Sequence, residues 1–190
     1  MGTREIIEKI VKERETDGGI KSVVWIAAGG SNGGNYPAQY FMDREAKGIR
    51  SQMFTSNEFV YAPPKFVGRD TIAVVTSMRG TPETCVAAKV AKDLGAATIA
   101  LYVQESALTE TCDYKVKYDS IMFDESDQSQ TNAALGMRIA MDIVDIVEGY
   151  EFYDDAMAAY DILDKVYNDA KAYCMPLAEK WAYQNKDEHI

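Results

Sequence analysis

The sequence predicts an α/β domain built on a five-stranded parallel sheet, and three observations carry that expectation. Short runs of apolar and β-branched residues recur at 22–28, 71–75 and 97–102. Helical stripes with three- and four-residue spacing separate them. Such alternation makes consecutive strands parallel, each joined to the next by a helix that covers a face of the sheet.

The elements follow in order. Ile6, Ile7, Ile10 and Val11 form the apolar stripe of a helix over 4–14, and Asp17-Gly18-Gly19 stops it. Ser22 to Ala28 is the first strand, and the polar loop Gly29-Gly30-Ser31-Asn32-Gly33-Gly34-Asn35 follows. Pro37 in a first turn and Gly48 past the end bracket the next helix, and Arg50 to Phe54 is strand two. Thr55-Ser56-Asn57-Glu58-Phe59 opens a short helix or turn closed by Pro63-Pro64. Strand three, Thr71 to Val75, leads into the loop Thr76-Ser77-Met78-Arg79-Gly80-Thr81-Pro82-Glu83-Thr84. There Thr81 reads as an N-cap, Pro82 as the first helical residue and Glu83 as an acid beside the positive end of the dipole; Gly95 ends that helix.

Ala97 to Tyr102 is strand four, Tyr114 to Tyr118 a weaker fifth, and a helix spans 130–147. Right-handed crossovers give the flavodoxin-like order 2-1-3-4-5, a three-layer sandwich with strands one and three side by side where the order reverses. Both polar loops then open on one crevice. Residues 1–150 read as this domain and 151–190 as a helical extension. In the extension Phe152, Met157, Tyr160, Leu163, Tyr167, Ala170, Cys174, Leu177 and Trp181 recur at helical spacing, and Pro176 should kink or restart the helix. Its apolar face packs on its own domain or docks another domain or subunit.

Composition narrows the partners. The chain has 190 residues, 47% apolar, with 30 acidic against 20 basic residues and a net charge of -10, so neither nucleic acid nor an anionic membrane is an expected partner. Cys85, Cys112 and Cys174 lie far apart without a CxxC pair, which reads as a reducing cytoplasm. No run approaches a membrane span and no leader pattern opens the chain, so the expected location is cytoplasmic. The single histidine, His189, stands beside the C-terminus, which argues against a histidine-based metal site or an internal triad; no metal is expected. The acidic run Asp124-Glu125-Ser126-Asp127 reads as a solvated loop.

Gly29-Gly30-Ser31-Asn32-Gly33 fits the G-x-S-x-G nucleophile pattern, yet it follows the first strand, and such an elbow normally follows several. A dinucleotide fingerprint fares no better, because Ser31 stands where the close-approach glycine belongs and no acid immediately follows strand two. The remaining interpretation is capture of a phosphate by hydroxyls and amides at helix N-termini. Ser31, Thr76, Ser77 and Thr81 supply hydroxyls, Gly30, Asn32 and Gly80 lie in the same loops, and Arg79 adds a charge unless it is simply solvated. Ser56 and Glu58 suit either helix capping or a ligand role.

These residues resemble the sugar isomerase (SIS) domain of phosphosugar-binding proteins. The family's second loop commonly reads Ser-x-Ser-Gly-x-Thr-Pro-Glu-Thr, and 76–84 aligns to it without a gap; Thr76 replaces the first Ser, Met78 the second and Arg79 the Gly. The resemblance covers roughly residues 20 to 150 and is strongest to the fructosamine 6-phosphate deglycases. It implies a sugar phosphate ligand, no metal or organic cofactor, two SIS domains per chain and a homodimer. It also places a general acid/base Glu and His in a second domain beyond Ile190, so the expected catalytic set within this chain is empty. Alternatives are a non-catalytic phosphosugar-sensing or dimerisation module, and a half-length isomerase in which His189 would have to act.

Overall fold

The computed structural model describes residues 2–120 and 127–188. Residues 124–126 of the acidic run, and His189, lie outside the described residues.

Five strands, β1 (Ser22–Ala27), β2 (Arg50–Thr55), β3 (Thr71–Thr76), β4 (Ala97–Tyr102) and β5 (Tyr114–Lys117), form one parallel sheet in the order β2-β1-β3-β4-β5. The helices are α1 (Thr3–Arg14), α2 (Gly29–Glu45), α3 (Ser56–Tyr61), α4 (Pro82–Asp93), α5 (Ala107–Thr111), α6 (Asn132–Glu148) and α7 (Tyr153–Gln184). Every residue of β1 and β3 is buried, as central strands covered on both faces must be.

The two-residue period of β1 divides its side chains between two apolar layers. Val23 and Trp25 join Ile72, Val74, Ile99 and Leu101 under Ile6, Ile7 and Ile10 of α1, Phe41 and Met42 of α2, and Ile139 and Ile143 of α6. Val24 and Ile26 join Ala73, Val75 and Ala100 under Phe59 of α3, Ala87, Ala88 and Ala91 of α4, and Leu108 of α5. The Trp25 indole N–H donates to Ser51 Oγ at 3.0 Å, so the largest buried side chain leaves no orphan donor.

Four expectations need correction. The glycine-rich stretch after β1 is helical from Gly29, so Pro37 lies well inside α2 rather than in its first turn. Glycine's weak helix propensity is overridden by packing: a Cβ on Gly34 would lie 2.1 Å from Asn132 Nδ2, and one on Gly136 would lie 3.8 Å from Ala38 Cβ, so small residues let α2 and α6 approach closely. Gly48 is no C′ residue, because α2 stops at Glu45 and Ala46 is already extended. Glu148 instead accepts the N–H groups of Lys47 and Gly48, each at 2.7 Å, tying that turn to the end of α6. Lastly, α7 runs through Pro176 as one helix of 32 residues, since one proline removes a single ladder bond.

The start of α7 packs on the domain through Tyr153, Ala156, Met157 and Tyr160, whereas its residues from Lys165 to Gln184 are all exposed. No helix among the described residues is long and apolar enough to cross a membrane.

Candidate functional site

Register builds the site. Ala27 at the end of β1 pairs with Thr76 at the end of β3, so the segments leaving both strands start level with each other on the carboxyl edge of the sheet. Gly29, with φ of +55°, turns the chain from β1 straight into α2. The N–H groups of this first helical turn have no intrahelical partner and carry the positive end of the helix dipole.

The segment after β3 is held from three sides. The Ser77 N–H donates to Leu101 O at 3.0 Å, and the Met78 carbonyl accepts from the N–H groups of Val103 and Gln104 at 3.2 and 2.9 Å. Ser77 Oγ accepts from the N–H groups of Gly80 and Thr81, each at 3.1 Å, closing a tight turn. Gly80 has φ of +69°, and a Cβ there would lie 2.2 Å from Ser106 Oγ, so only glycine fits. Thr81 is the N-cap residue of α4 and Pro82 its first helical residue. The Thr81 hydroxyl, however, shares a hydrogen bond of 2.8 Å with Thr84 Oγ1 and caps no N–H.

The candidate residues do not all meet. Gly30 and Ser31 from the first segment and Met78 from the second line one cleft of about 330 Å³, with Ala28, Tyr118, Ser120 and Asn132. Asn32 is half-buried beside them, its Oδ1 without a hydrogen-bond partner among the described residues. Thr76 lies beneath the surface, its hydroxyl donated to Asn35 Oδ1 at 2.9 Å. Ser77 is buried in its own turn. Arg79 is exposed and makes no ion pair among the described residues, and Thr81 is exposed at the head of α4. Glu58 serves α3: its carboxylate accepts the Thr55 N–H at 2.8 Å and the Thr55 hydroxyl at 2.7 Å, and these bonds hold its pKa below the ordinary value.

Sequence reasoning missed Tyr118, Ser120 and Asn132. Burial raises the Tyr118 pKa, and a hydrogen bond with the Ser31 hydroxyl partly offsets the rise. One signal was available: Thr131-Asn132 precedes the apolar stripe of α6, and Thr131 caps it by accepting the Ala134 N–H at 3.4 Å. The N-terminus of α6 therefore borders the cleft beside that of α2. A larger groove of about 510 Å³ runs between α6 and α7, but Met137, Met141, Ala156, Tyr160 and Leu163 make its walls apolar and unsuited to an anion. Among the described residues no cluster of three or more His, Cys, Asp or Glu is placed to hold a metal ion.

No family model matches the chain. It is 32% identical over 173 residues to fructosamine deglycase FrlB of Bacillus subtilis, an alignment covering 90% of this chain and 52% of that one. A candidate phosphosugar isomerase of Salmonella typhimurium superposes with a TM-score of 0.90 at 34% identity, over 99% of this chain and 57% of that structure. A second candidate phosphosugar isomerase, from Bacillus subtilis, gives a TM-score of 0.84 at 29% identity, over 98% and 58%. The chain thus spans about half the length of these relatives. A parallel sheet with two polar segments opening at its switch point, joined to homology along nearly the whole chain, relates this protein to the SIS, or phosphosugar isomerase, domain family, to which it is homologous through FrlB and these two structures.

Proposed function

We propose that this chain binds a sugar phosphate and forms the first SIS domain of a sugar-phosphate deglycase or aldose-ketose isomerase that acts on fructosamine 6-phosphates. The observation that carries the reading is the shared cleft, in which Gly30 and Ser31 at the head of α2 face Met78 of the β3–α4 turn. Ser31, the first N–H groups of α2, Thr81 and Arg79 hold the phosphate. Thr76 and Ser77 shape the cleft from below, because Thr76 donates its proton to Asn35 and Ser77 caps its own turn. The proton transfer between adjacent sugar carbons falls to a base outside this chain, and the carbonyl or iminium of the substrate serves as the electron sink. Identity of 32% to a fructosamine deglycase supports the substrate class.

Thermal melts of the 190-residue chain with sugar 6-phosphates, each beside its unphosphorylated sugar, test this reading. Stabilisation by the phosphorylated member alone is expected, rising with ligand excess and weakened by Ser31→Ala. Equal melting temperatures with both members of every pair would remove the phosphate site.

A second reading, a phosphosugar-sensing module that forms homodimers, is favoured by the exposed apolar residues Val166, Tyr173, Leu177 and Trp181 on α7.

A further inference from the structure

Three hydroxyls form a chain that leads from the core to the head of α4. Ser56 Oγ lies 2.8 Å from Thr84 Oγ1, which lies 2.8 Å from Thr81 Oγ1. Ser56 is 1% exposed and Thr84 fully buried, whereas Thr81 is exposed. Among the described residues neither buried hydroxyl has another hydrogen-bond partner.

Burial then fixes the direction of the chain. Each hydroxyl owns one proton, and a buried O–H without an acceptor is costly. If Thr81 donated inward, the last proton would be stranded on Ser56. With the direction reversed, Ser56 donates to Thr84, Thr84 donates to Thr81, and the Thr81 O–H turns outward. Each bond polarises the next, so the outward O–H is a stronger donor than an isolated threonine's. An ionised phosphate accepts hydrogen bonds and offers almost none, which matches a hydroxyl whose acceptor side is already occupied.

We propose that Ser56 and Thr84 are positioning residues that hold the Thr81 hydroxyl as an outward donor to the phosphate of a bound sugar phosphate; the proposal rests on the phosphosugar reading above. Through this relay the Ser56 segment acts on the ligand without touching it.

The test titrates the 190-residue chain with glucose 6-phosphate, with glucose as the control, and follows the melting temperature without ligand as the check on folding. Thr84→Val keeps the shape but not the proton and is expected to weaken glucose 6-phosphate binding about fivefold. Thr84→Ser restores the hydroxyl and should bind within about twofold of the parent. Thr81→Val should lose at least as much as Thr84→Val, and the double variant no more than Thr81→Val alone, because a residue acting through Thr81 has nothing left to act on. Should Thr84→Val unfold, Ser56→Ala replaces it in the same cycle. Unchanged binding in Thr84→Val, or a further loss when it is added to Thr81→Val, overturns the relay while the phosphosugar reading stands. Failure of the parent chain to prefer any sugar 6-phosphate, glucose 6-phosphate included, over its unphosphorylated sugar overturns both.

Discussion

The hydroxyl of Thr76 donates to Asn35 Oδ1 at 2.9 Å, and neither side chain is exposed. This bond ties the end of β3 to the second turn of α2 across the switch point of the sheet. It fixes the two cleft-forming segments relative to each other before any ligand arrives. Asn35 Nδ2 is itself buried without a partner, so the amide depends on Thr76 for its only satisfied atom among the described residues.

Thr76→Val should therefore act on folding first. The isosteric change leaves a buried amide oxygen unpaired, which typically costs about 1–3 kcal/mol. Thr76→Ser keeps the donor and should cost less. Urea unfolding of the three proteins checks this, and a Thr76→Val protein as stable as its parent would mean that the bond carries no weight.

Gly80→Ala strains the turn twice, through φ of +69° and through a Cβ 2.2 Å from Ser106 Oγ. A non-glycine residue in such a conformation typically costs about 1–3 kcal/mol. The loss should appear in chemical unfolding, and the variant should also lose its extra thermal stabilisation by sugar 6-phosphates, since the turn orients Thr81. Gly29→Ala is the useful comparison: its φ is also positive, but a Cβ there meets nothing within 4 Å, so its loss should be smaller.

Asp142 is buried on α6, where Tyr153 donates to its Oδ1 at 2.5 Å and where Thr3, Arg4 and Arg138 also face it. Burial dominates these favourable contacts and raises its pKa above the ordinary 3.8. The folded state thus holds the proton more tightly than the unfolded chain, and stability contributed by this group falls as pH rises from 3.8 through the raised value. Relative to Asp142→Asn, the parent should lose melting temperature across that window and then run parallel at higher pH. A difference that grows in the parent's favour with pH would reverse the assignment.

Glu58 gives the opposite sign. The Thr55 hydroxyl and N–H hold its pKa below the ordinary 4.5, so the stability it contributes is present above 4.5 and lost as pH falls through the depressed value. Glu58→Gln should be less stable than the parent near neutral pH, with the gap closing in acid. A gap independent of pH would point to packing rather than to the charged capping box.

Much of this was legible in the sequence because local and global signals agreed. The buried strands, their order and the Thr81-Pro82 helix start follow from apolar runs, crossover handedness and capping chemistry. The first polar segment misled, because four glycines read as a loop while Gly34 and Gly136 were spending that same smallness on helix contact. Thr76 could be recognised as a hydroxyl at a strand end, but not as one committed to Asn35, since a bond between residues 41 apart has no local signature. Tyr118 and Ser120 were invisible for the same reason: only the sheet order brings the end of β5 to the cleft.

Leu177 and Trp181 are 54% and 57% exposed, and the helix around them is exposed on every side, so neither contributes to the packing of the domain. Leu177→Ser with Trp181→Ser should change the unfolding free energy of the domain by no more than about 0.5 kcal/mol. A helix segment with a solvated apolar stripe gains stability only by covering that stripe, and two copies of α7 could cover each other. Sedimentation should accordingly show the parent associating as a dimer and the double variant shifted to monomer at the same concentration. A variant that remains as dimeric as the parent would place the subunit contact away from α7 and remove the observation that favours a dimerising module.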